Sequence, residues 1–315
     1  MWTICRKELA DHFSSTRFLI LFCLILMVAL VSTYMVATNV REALEGVAKP
    51  SHVFLLLFTA PGKFFSLVQF IAFFGPLLGI IMGFDAINRE RQHRTLAKLV
   101  SQPIFRDAVI NGKFLAGVIT VSIALVSLML LLTGVGLMTV GVVPGAEELG
   151  RLLIYLLVSV AYVSFWLGLA ILFSILFRSL ATSALAAVAL WIFFSFFIGF
   201  ASDLVADAVA PVHNPRDPEE LVANHRVAEA ASLASPAVLY SQATSAILDP
   251  YRRSRGTLVL SGMMERLSLA RFQNPLPLDQ SLLVVWPYLT SMAALTLICF
   301  GLAYVIFMRQ EIRSV

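Results

Sequence analysis

The residues of this 315-residue sequence that could do chemistry are concentrated in one polar segment, from Asp85 to Lys113. Its 29 residues carry six basic and three acidic side chains between two long apolar stretches. The pair Gly112-Lys113 invites comparison with a phosphate-binding loop, but Asp107 stands where the first glycine of that loop belongs, and Phe114 follows the lysine. We therefore expect no ATPase activity from this chain itself.

Motifs of hydrolytic and metal chemistry are also missing from the sequence. Neither H-E-x-x-H nor G-x-S-x-G occurs, and no paired aspartates stand inside an apolar stretch. His213 and His225 have no cysteine or second acidic ligand at metal spacing, so we interpret them as solvent-facing. The sequence predicts no catalytic, metal or cofactor-binding residue, and the chain is not expected to be an enzyme.

The polar segment is predicted to form two short helices with a break between them. Residues 88–100 contain no Gly or Pro, and Leu96, Leu99 and Val100 fall at i, i+3 and i+4. Pro103 lacks an amide hydrogen and disfavours helical geometry at the preceding residue, so the first helix should end there. Attraction to anionic headgroups would explain the basic residues, but it would not explain the apolar edge, which needs a partner.

Composition assigns the chain to membrane proteins. Hydrophobic residues make up 59% of it, charged residues only 13%, and the mean hydropathy is +0.87; a soluble domain carries roughly 25% charged residues. The net charge of +4 does not indicate a nucleic-acid partner, because the basic residues cluster beside apolar stretches. Three cysteines do not indicate a disulfide framework.

The predicted fold class is an all-α polytopic membrane protein with six transmembrane helices. About 20 apolar residues cross the hydrocarbon layer of a bilayer, and six stretches are long enough: 18–38, 64–84, 114–140, 152–177, 180–200 and 282–307. Residues 1–17 are predicted to form a cytoplasmic interfacial helix, because Trp2, Cys5, Leu9 and Phe13 fall at helical spacing among charged residues.

The topology follows from the basic residues in short loops, which favour the cytoplasmic side. Both ends of the chain are expected there, in a multi-pass protein of the cell membrane. Residues 18–200 hold the first five spans and the loop 85–113, and residues 282–315 hold the sixth span and a cytoplasmic tail. Residues 201–281 are predicted to be an extracytoplasmic segment with helices at 218–233, 236–248 and 256–272. Glu147 and Glu148 fall in a short outer loop and are interpreted as a solvated helix cap.

The loop 85–113 resembles the cytoplasmic loop between the second and third spans of ABC-2 type transporter permeases. Where the family usually has glycine before a threonine, this chain has Arg94. The opening Arg6-Lys7-Glu8-Leu9 is also similar to that of many family members. The residues that carry the loop resemblance are Glu90, Thr95, Leu96, Leu99, Ser101, Pro103, Arg106, Gly112 and Lys113.

The resemblance implies partners. The loop would hold a coupling helix that docks on a separate ATP-binding subunit, which would bind ATP and Mg²⁺, and two permease chains would pair as a homodimer or with a close relative. A second, smaller contact is implied at the turn between spans four and five. The residues implied at the coupling contact are Glu90, Arg91, Arg94, Thr95, Leu96, Leu99, Val100, Ser101, Pro103, Arg106, Lys113 and Arg178.

Two functions remain open at this stage. The first is the permease subunit of an ATP-driven exporter for an amphipathic or lipid-like substrate. The alternative is an assembly or mechanotransmission component, for example in metalloenzyme maturation, that acts on an extracytoplasmic partner without moving a bulk substrate. An ion-driven carrier is disfavoured, because the middle sections of the spans carry no ionisable residue.

The topology yields a first test. A cysteine introduced near Pro250, in a variant without the native cysteines, should react with a membrane-impermeant maleimide added outside intact cells. Labelling only after permeabilisation would overturn the predicted orientation.

Overall fold

The computed structural model describes residues 1–44, 53–59, 66–92, 105–214, 217–249 and 276–310, which form helices and turns with no strand among them. Six helical runs in this part of the chain are long and apolar enough to cross a membrane. They are Thr16–Glu42, Leu67–Gln92, Arg106–Val140, Ala146–Leu176, Leu180–Val209 and Leu278–Arg309. The predicted all-α polytopic fold with six membrane-spanning helices is confirmed.

Twelve α-helices are described along the chain. They are α1 (Trp2–Ser14), α2 (Thr16–Leu44), α3 (Val53–Thr59), α4 (Leu67–Gly83), α5 (Asn88–Gln92), α6 (Arg106–Val140), α7 (Ala146–Leu176), α8 (Leu180–Ile192), α9 (Ile198–Val209), α10 (Pro218–Ser232), α11 (Pro236–Leu248) and α12 (Leu278–Arg309). A π-helical stretch, Phe193–Phe197, joins α8 to α9, so the fifth span is one continuous run. The predicted helix at 256–272 lies outside the described residues.

Helix α7, the fourth span, lies at the centre of the bundle. It contacts α4, α6, α11 and α12, and 72% of its most apolar 18-residue window is buried, against 22% for α2 and 11% for the fifth span. Its buried side chains include Tyr155, Tyr162 and Trp166. The sixth span is also little buried, at 17%. The first, fifth and sixth spans therefore present most of the outer surface of the bundle, and α7 forms its core.

The contact between α4 and α7 is a close approach of two backbones. Three glycines of α4, Gly75, Gly79 and Gly83, are spaced four residues apart and therefore share one face. A methyl group on Gly79 would lie 2.7 Å from the carbonyl oxygen of Val163 and 2.8 Å from the amide nitrogen of Leu167. Small residues permit this packing, which contributes van der Waals contact between membrane helices where the hydrophobic effect is weak.

The loop end of the bundle is the end at which α5 and the start of α6 lie. At the opposite end, the short helix α3 is an element that the sequence analysis did not predict. The backbone N–H of Phe54 donates a 3.0 Å hydrogen bond to Oε1 of Glu148, and the backbone N–H of Gly145 donates a 2.8 Å bond to Oε2. The interpretation of Glu148 as a solvated cap is wrong: it is only 6% exposed, because α3 covers it.

A buried arginine joins three elements at that same end. Arg151, in the first turns of α7, is fully buried and donates hydrogen bonds to the carbonyl of Ile247 at 2.8 Å, to Oγ of Ser281 at 3.1 Å and to Glu147 at 2.9 Å. It also donates to the carbonyl of Leu276. The guanidinium thus ties α11 and the start of α12 to α7.

Helix α11 packs into the bundle and reaches the middle of α7. Ring stacking places the Tyr240 ring 4.4 Å from that of Tyr162, and the Tyr240 hydroxyl lies 3.0 Å from Oγ of Ser159. At the start of α11, Ser235 donates a 3.2 Å bond to the carbonyl of Phe194 within the π-helical stretch. The two described helices of the 201–281 segment begin and end within one residue of the predicted bounds, and the second is part of the core.

The α4–α7 contact can be tested with a single methyl group. In Gly79→Ala the new group would meet backbone atoms that cannot turn away, and overpacking of this kind costs about 1–3 kcal/mol. We expect a lower unfolding temperature for the purified protein in detergent. The matched control is Gly134→Ala in α6, where nothing lies within 4 Å, so that variant should unfold at or slightly above the wild-type temperature. Equal temperatures for the two variants would contradict the close packing.

Candidate coupling site

The predicted coupling residues divide between the described part of the chain and residues 93–104, which lie outside it. Seven of them fall in 93–104: Arg94, Thr95, Leu96, Leu99, Val100, Ser101 and Pro103. The structure places the other five, Glu90, Arg91, Arg106, Lys113 and Arg178. Four of these five flank the segment on its two sides, and Arg178 lies in the turn between the fourth and fifth spans, so the geometry of both ends of the segment can be described.

A buried ion-pair network joins the two ends of the segment. Nζ of Lys113 lies 2.9 Å from Oε1 of Glu90 and 2.9 Å from Oε1 of Glu8. The three side chains are only 5%, 10% and 11% exposed, in that order. Because one lysine contacts two carboxylates, it holds α1, α5 and α6 together at one point.

The charge of Lys113 changes the acidity of its partner on α1. Burial would raise the pKa of Glu8, but the charges and hydrogen bonds of Lys113 and Lys7 outweigh burial and hold the pKa of that carboxyl below its ordinary value. The ionised pair therefore stabilises this contact at pH values above the ordinary glutamate pKa. The contribution is lost as the pH falls through the lowered pKa.

Helix α1 reaches this network through close packing on α6. Its buried residues are Ile4, Cys5 and Glu8, and a methyl group on Gly112 would lie 3.1 Å from the Ile4 side chain. The pair Gly112-Lys113 thus has a structural explanation: the glycine leaves room for α1 and the lysine pairs with its glutamate. Sequence reasoning missed Glu8, because the predicted apolar face of α1 uses Cys5 but not its neighbours Ile4 and Glu8.

A second set of contacts fixes the start of the segment to α7. The backbone N–H groups of Ile87 and Asn88 both donate to Oγ of Ser174, at 3.0 and 3.1 Å. The Asn88 side chain donates to the carbonyl of Ser179 at 3.4 Å, in the turn between the fourth and fifth spans. Arg178 lies exposed in that same turn. The two predicted partner contacts, the loop and this turn, are therefore neighbours.

The arginines on either side of the segment contact the end of the last span. Arg91 donates to the carbonyl of Ile175 at 3.2 Å and to the side-chain oxygen of Gln310. Arg106 donates to the backbone carbonyl of Gln310 at 3.2 Å, and the Gln310 side chain donates to Ile175 at 3.1 Å. Through these bonds the loop is connected to α12 as well as to α1, α6 and α7.

No group of three or more His, Cys, Asp or Glu among the described residues could hold a metal ion. His213 and His225 are exposed, and the backbone N–H of His213 donates to Glu220. At the loop end of the bundle, the residues on both sides of the segment 93–104 are held by ion pairs and hydrogen bonds to α1, α6, α7 and α12.

These features define a multi-pass helical membrane protein with a braced loop at one end. The chain matches the family described as "ABC-2 family transporter protein" over residues 2–312, and it belongs to that family. It is also 33% identical over 115 residues to a protein of Pseudomonas aeruginosa named "Probable ABC transporter permease protein NosY". That match covers 36% of this chain and 38% of the relative's length.

The ion-pair network can be tested through the buried Cys5. Removing one partner of a buried pair costs about 3–5 kcal/mol, and we expect the lower end for Lys113→Met, since Lys7 also contacts Glu8 at 3.1 Å. Docking of α1 should weaken by about 100-fold. In a variant that keeps Cys5 as its only cysteine, thiol labelling at fixed pH should accelerate accordingly, because Cys5 is only 1% exposed when α1 is docked.

The matched control is Lys7→Met, which removes a lysine with 59% side-chain exposure from the same glutamate. It should change the labelling rate by no more than about fivefold, since exposed ion pairs contribute about 0–1 kcal/mol. Equal acceleration in both variants would show that Lys113 does not hold α1.

Proposed function

We propose that this permease is the membrane-spanning subunit of an ATP-driven exporter, powered by a separate ATP-binding subunit that docks on residues 93–104. The observation that supports the proposal is that the residues on both sides of that segment are held to other helices by a buried ion-pair network and by hydrogen bonds. A segment that only reversed the chain direction would need no buried ion pair at its ends. Here a force applied to the segment would pass through Lys113 to α1 and α6, through Ser174 to α7, and through Gln310 to α12.

The same contacts separate the predicted coupling residues into two groups with different proposed roles. Glu90, Arg91 and Lys113 bind other parts of this chain, so we propose that they position the loop. The apolar edge formed by Leu96, Leu99 and Val100 remains the proposed contact with the ATP-binding subunit, and Arg178 the proposed smaller contact beside it. ATP and Mg²⁺ would be bound by the partner, and no cofactor is proposed for this chain.

Pairing of two permease chains is supported by the exposed face of the fifth span. That run contains 30 residues from Leu180 to Val209, about 45 Å at 1.5 Å per residue, whereas the hydrocarbon layer is about 30 Å thick. Apolar side chains stay exposed along its whole length, including Leu185 at 71%, Phe200 at 67% and Val209 at 67%. Lipid tails would not cover all of this face, and a second copy of the chain would.

The proposed substrate is amphipathic or lipid-like. A groove of about 380 Å³ runs along the same face, lined by apolar residues that include Ile192, Phe193, Phe197 and Leu204. The middle sections of the spans carry no ionisable side chain that could couple transport to an ion. In this arrangement, both ends of the chain would face the cytoplasm and transport would run outward.

A second function is favoured by one observation. Helix α11 is held against the core of the bundle by Tyr240 and by the Arg151 bond to Ile247, so motion of α7 would reach the 201–281 segment directly. The chain could thereby act on a protein partner outside the membrane. Substrate-stimulated ATPase activity of the reconstituted complex favours transport, whereas a stable outer partner without such stimulation favours this alternative.

The coupling proposal is tested by Leu99→Asp. The change would place a carboxylate in a packed contact, where single residues contribute about 2–4 kcal/mol to binding. Native mass spectrometry of the wild-type complex should show two permease chains with their ATP-binding subunits. The variant should retain the permease pair and lose those subunits, or hydrolyse ATP without transport.

The control is Lys98→Asp, which puts the same carboxylate on the opposite side of the predicted helix. It should keep the subunits bound. If Leu99→Asp retains them with full transport activity, residues 96–100 are not the coupling contact.

A further inference from the structure

A polar cavity of about 470 Å³ opens at the loop end, between the α1–α2 corner, the start of the loop and the start of the fifth span. The residues that matter for its chemistry are Asp11, Arg17, Asp85 and Arg89, with Ser15 at the corner. This volume falls within the range of about 300–1,000 Å³ that is typical of small-molecule sites. The residues of the coupling network, Glu8, Glu90 and Lys113, are not among those that line it.

The cavity carries both signs of charge in equal number. Arg17 and Arg89 contribute two guanidinium groups, and Asp11 and Asp85 contribute two carboxylates. The contact between Arg17 and Asp85 is 3.4 Å long, and the Arg17 side chain is 63% exposed. The Asp85 side chain is less exposed, at 21%, and Asp11 also pairs with Lys7 at 3.4 Å. Since each of these pairs has an exposed cation, it contributes little on its own and a ligand can compete for its carboxylate. A simple anion would meet two carboxylates here, and a simple cation would meet two arginines.

The cavity lies at the ends of three spans, and this position determines whether its ligand meets lipid or water. Arg17 lies in the first turn of α2, Leu180 is the first residue of α8, and Asp85 is the second residue after the end of α4. The cavity therefore lies at the depth where headgroups meet hydrocarbon. Leu19 and Ile20 follow Arg17 in α2 and are 44% and 64% exposed, so acyl chains can cover them.

We propose that this cavity binds the headgroup of a zwitterionic phospholipid with a primary ammonium group, that is, a phosphoethanolamine headgroup. Arg17 and Arg89 would hold the phosphate with charge-assisted hydrogen bonds, and Asp11 and Asp85 would accept hydrogen bonds from the ammonium. A quaternary ammonium has no N–H to donate, and a glycerol headgroup has no cation, so both should bind less well. The site is independent of the substrate that the transporter moves.

The bound lipid would bridge elements that are otherwise joined by few contacts. Asp11 belongs to α1, Arg17 to α2 and Arg89 to α5, whereas Leu180 begins the fifth span, which is the least buried of the six. A headgroup in the cavity would contact all of these elements at once. Lipid composition would thereby influence how the loop is held beside the first and fifth spans.

The test is lipid binding to the purified, delipidated full-length chain, followed by native mass spectrometry. Phosphatidylethanolamine, phosphatidylcholine and phosphatidylglycerol with identical acyl chains are titrated separately. We expect one phosphatidylethanolamine to bind about tenfold more tightly than either of the others. Soluble phosphoethanolamine should bind far more weakly than the lipid, because it cannot cover Leu19 and Ile20.

Variants separate the two halves of the headgroup. Arg89→Gln should weaken phosphatidylethanolamine binding about tenfold, as expected for the loss of a charge-assisted hydrogen bond. Asp11→Asn should remove the preference over phosphatidylglycerol while leaving phosphatidylglycerol binding intact. The control Arg6→Gln removes the same charge from an exposed position on α1 that does not line the cavity, and it should change nothing.

Three results would overturn the assignment. Equal affinity for the three lipids in the wild-type chain would show that no headgroup is selected. Unchanged affinity for phosphatidylethanolamine in Arg89→Gln together with unchanged selectivity in Asp11→Asn, with unfolding temperatures equal to that of wild type, would place the selective site elsewhere. Tight binding of soluble phosphoethanolamine would identify a site for a soluble ligand and would exclude a lipid site.

Discussion

The close packing of α4 on α7 is the constraint on which the loop end of this permease depends. Gly79 and Gly83 bring the α4 backbone within van der Waals distance of the α7 backbone, so the two helices are held in one register. Since α4 leads directly into the loop, that register places the N–H groups of Ile87 and Asn88 on Ser174, near the end of α7. Wider spacing would break these bonds and release the start of the loop from the bundle core.

Besides helix packing, buried ion pairs hold the loop end together. Lys113 sits in the first turns of the third span and pairs with a carboxylate from the start of the loop and with another from α1. A lysine buried at this depth is costly unless its charge is matched, and each glutamate is costly without the lysine. The three side chains therefore favour one arrangement of α1, α5 and α6. In the proposed coupling mechanism, that arrangement is what a docked ATP-binding subunit would move.

The opposite end of the bundle is also held together by buried charged side chains that have hydrogen-bond partners. Arg151 is fully buried and is satisfied by two backbone carbonyls, a serine and Glu147. Glu148 is also buried at this end, and its carboxylate accepts hydrogen bonds from backbone N–H groups of α3 and of the residue before its own helix. Because α11 also stacks Tyr240 on Tyr162, the bundle is braced at both ends around α7. In the proposed alternative function, motion at the loop end would pass along α7 to the 201–281 segment.

The sequence by itself determined the six spans, the amphipathic α1 and the special composition of residues 85–113. These are local properties: transfer of each side chain into hydrocarbon and the helical repeat depend on neighbours along the chain. The tertiary structure alone decided that Glu8 pairs with Lys113, that Glu148 and Arg151 are buried, and that α3 and α11 fold back on α7. Each of these contacts requires a partner that is distant in sequence. Hydropathy does not identify the partner of a buried charged residue. A charged residue at a predicted span end looks the same whether water or another helix will satisfy it, and only the packed bundle distinguishes the two.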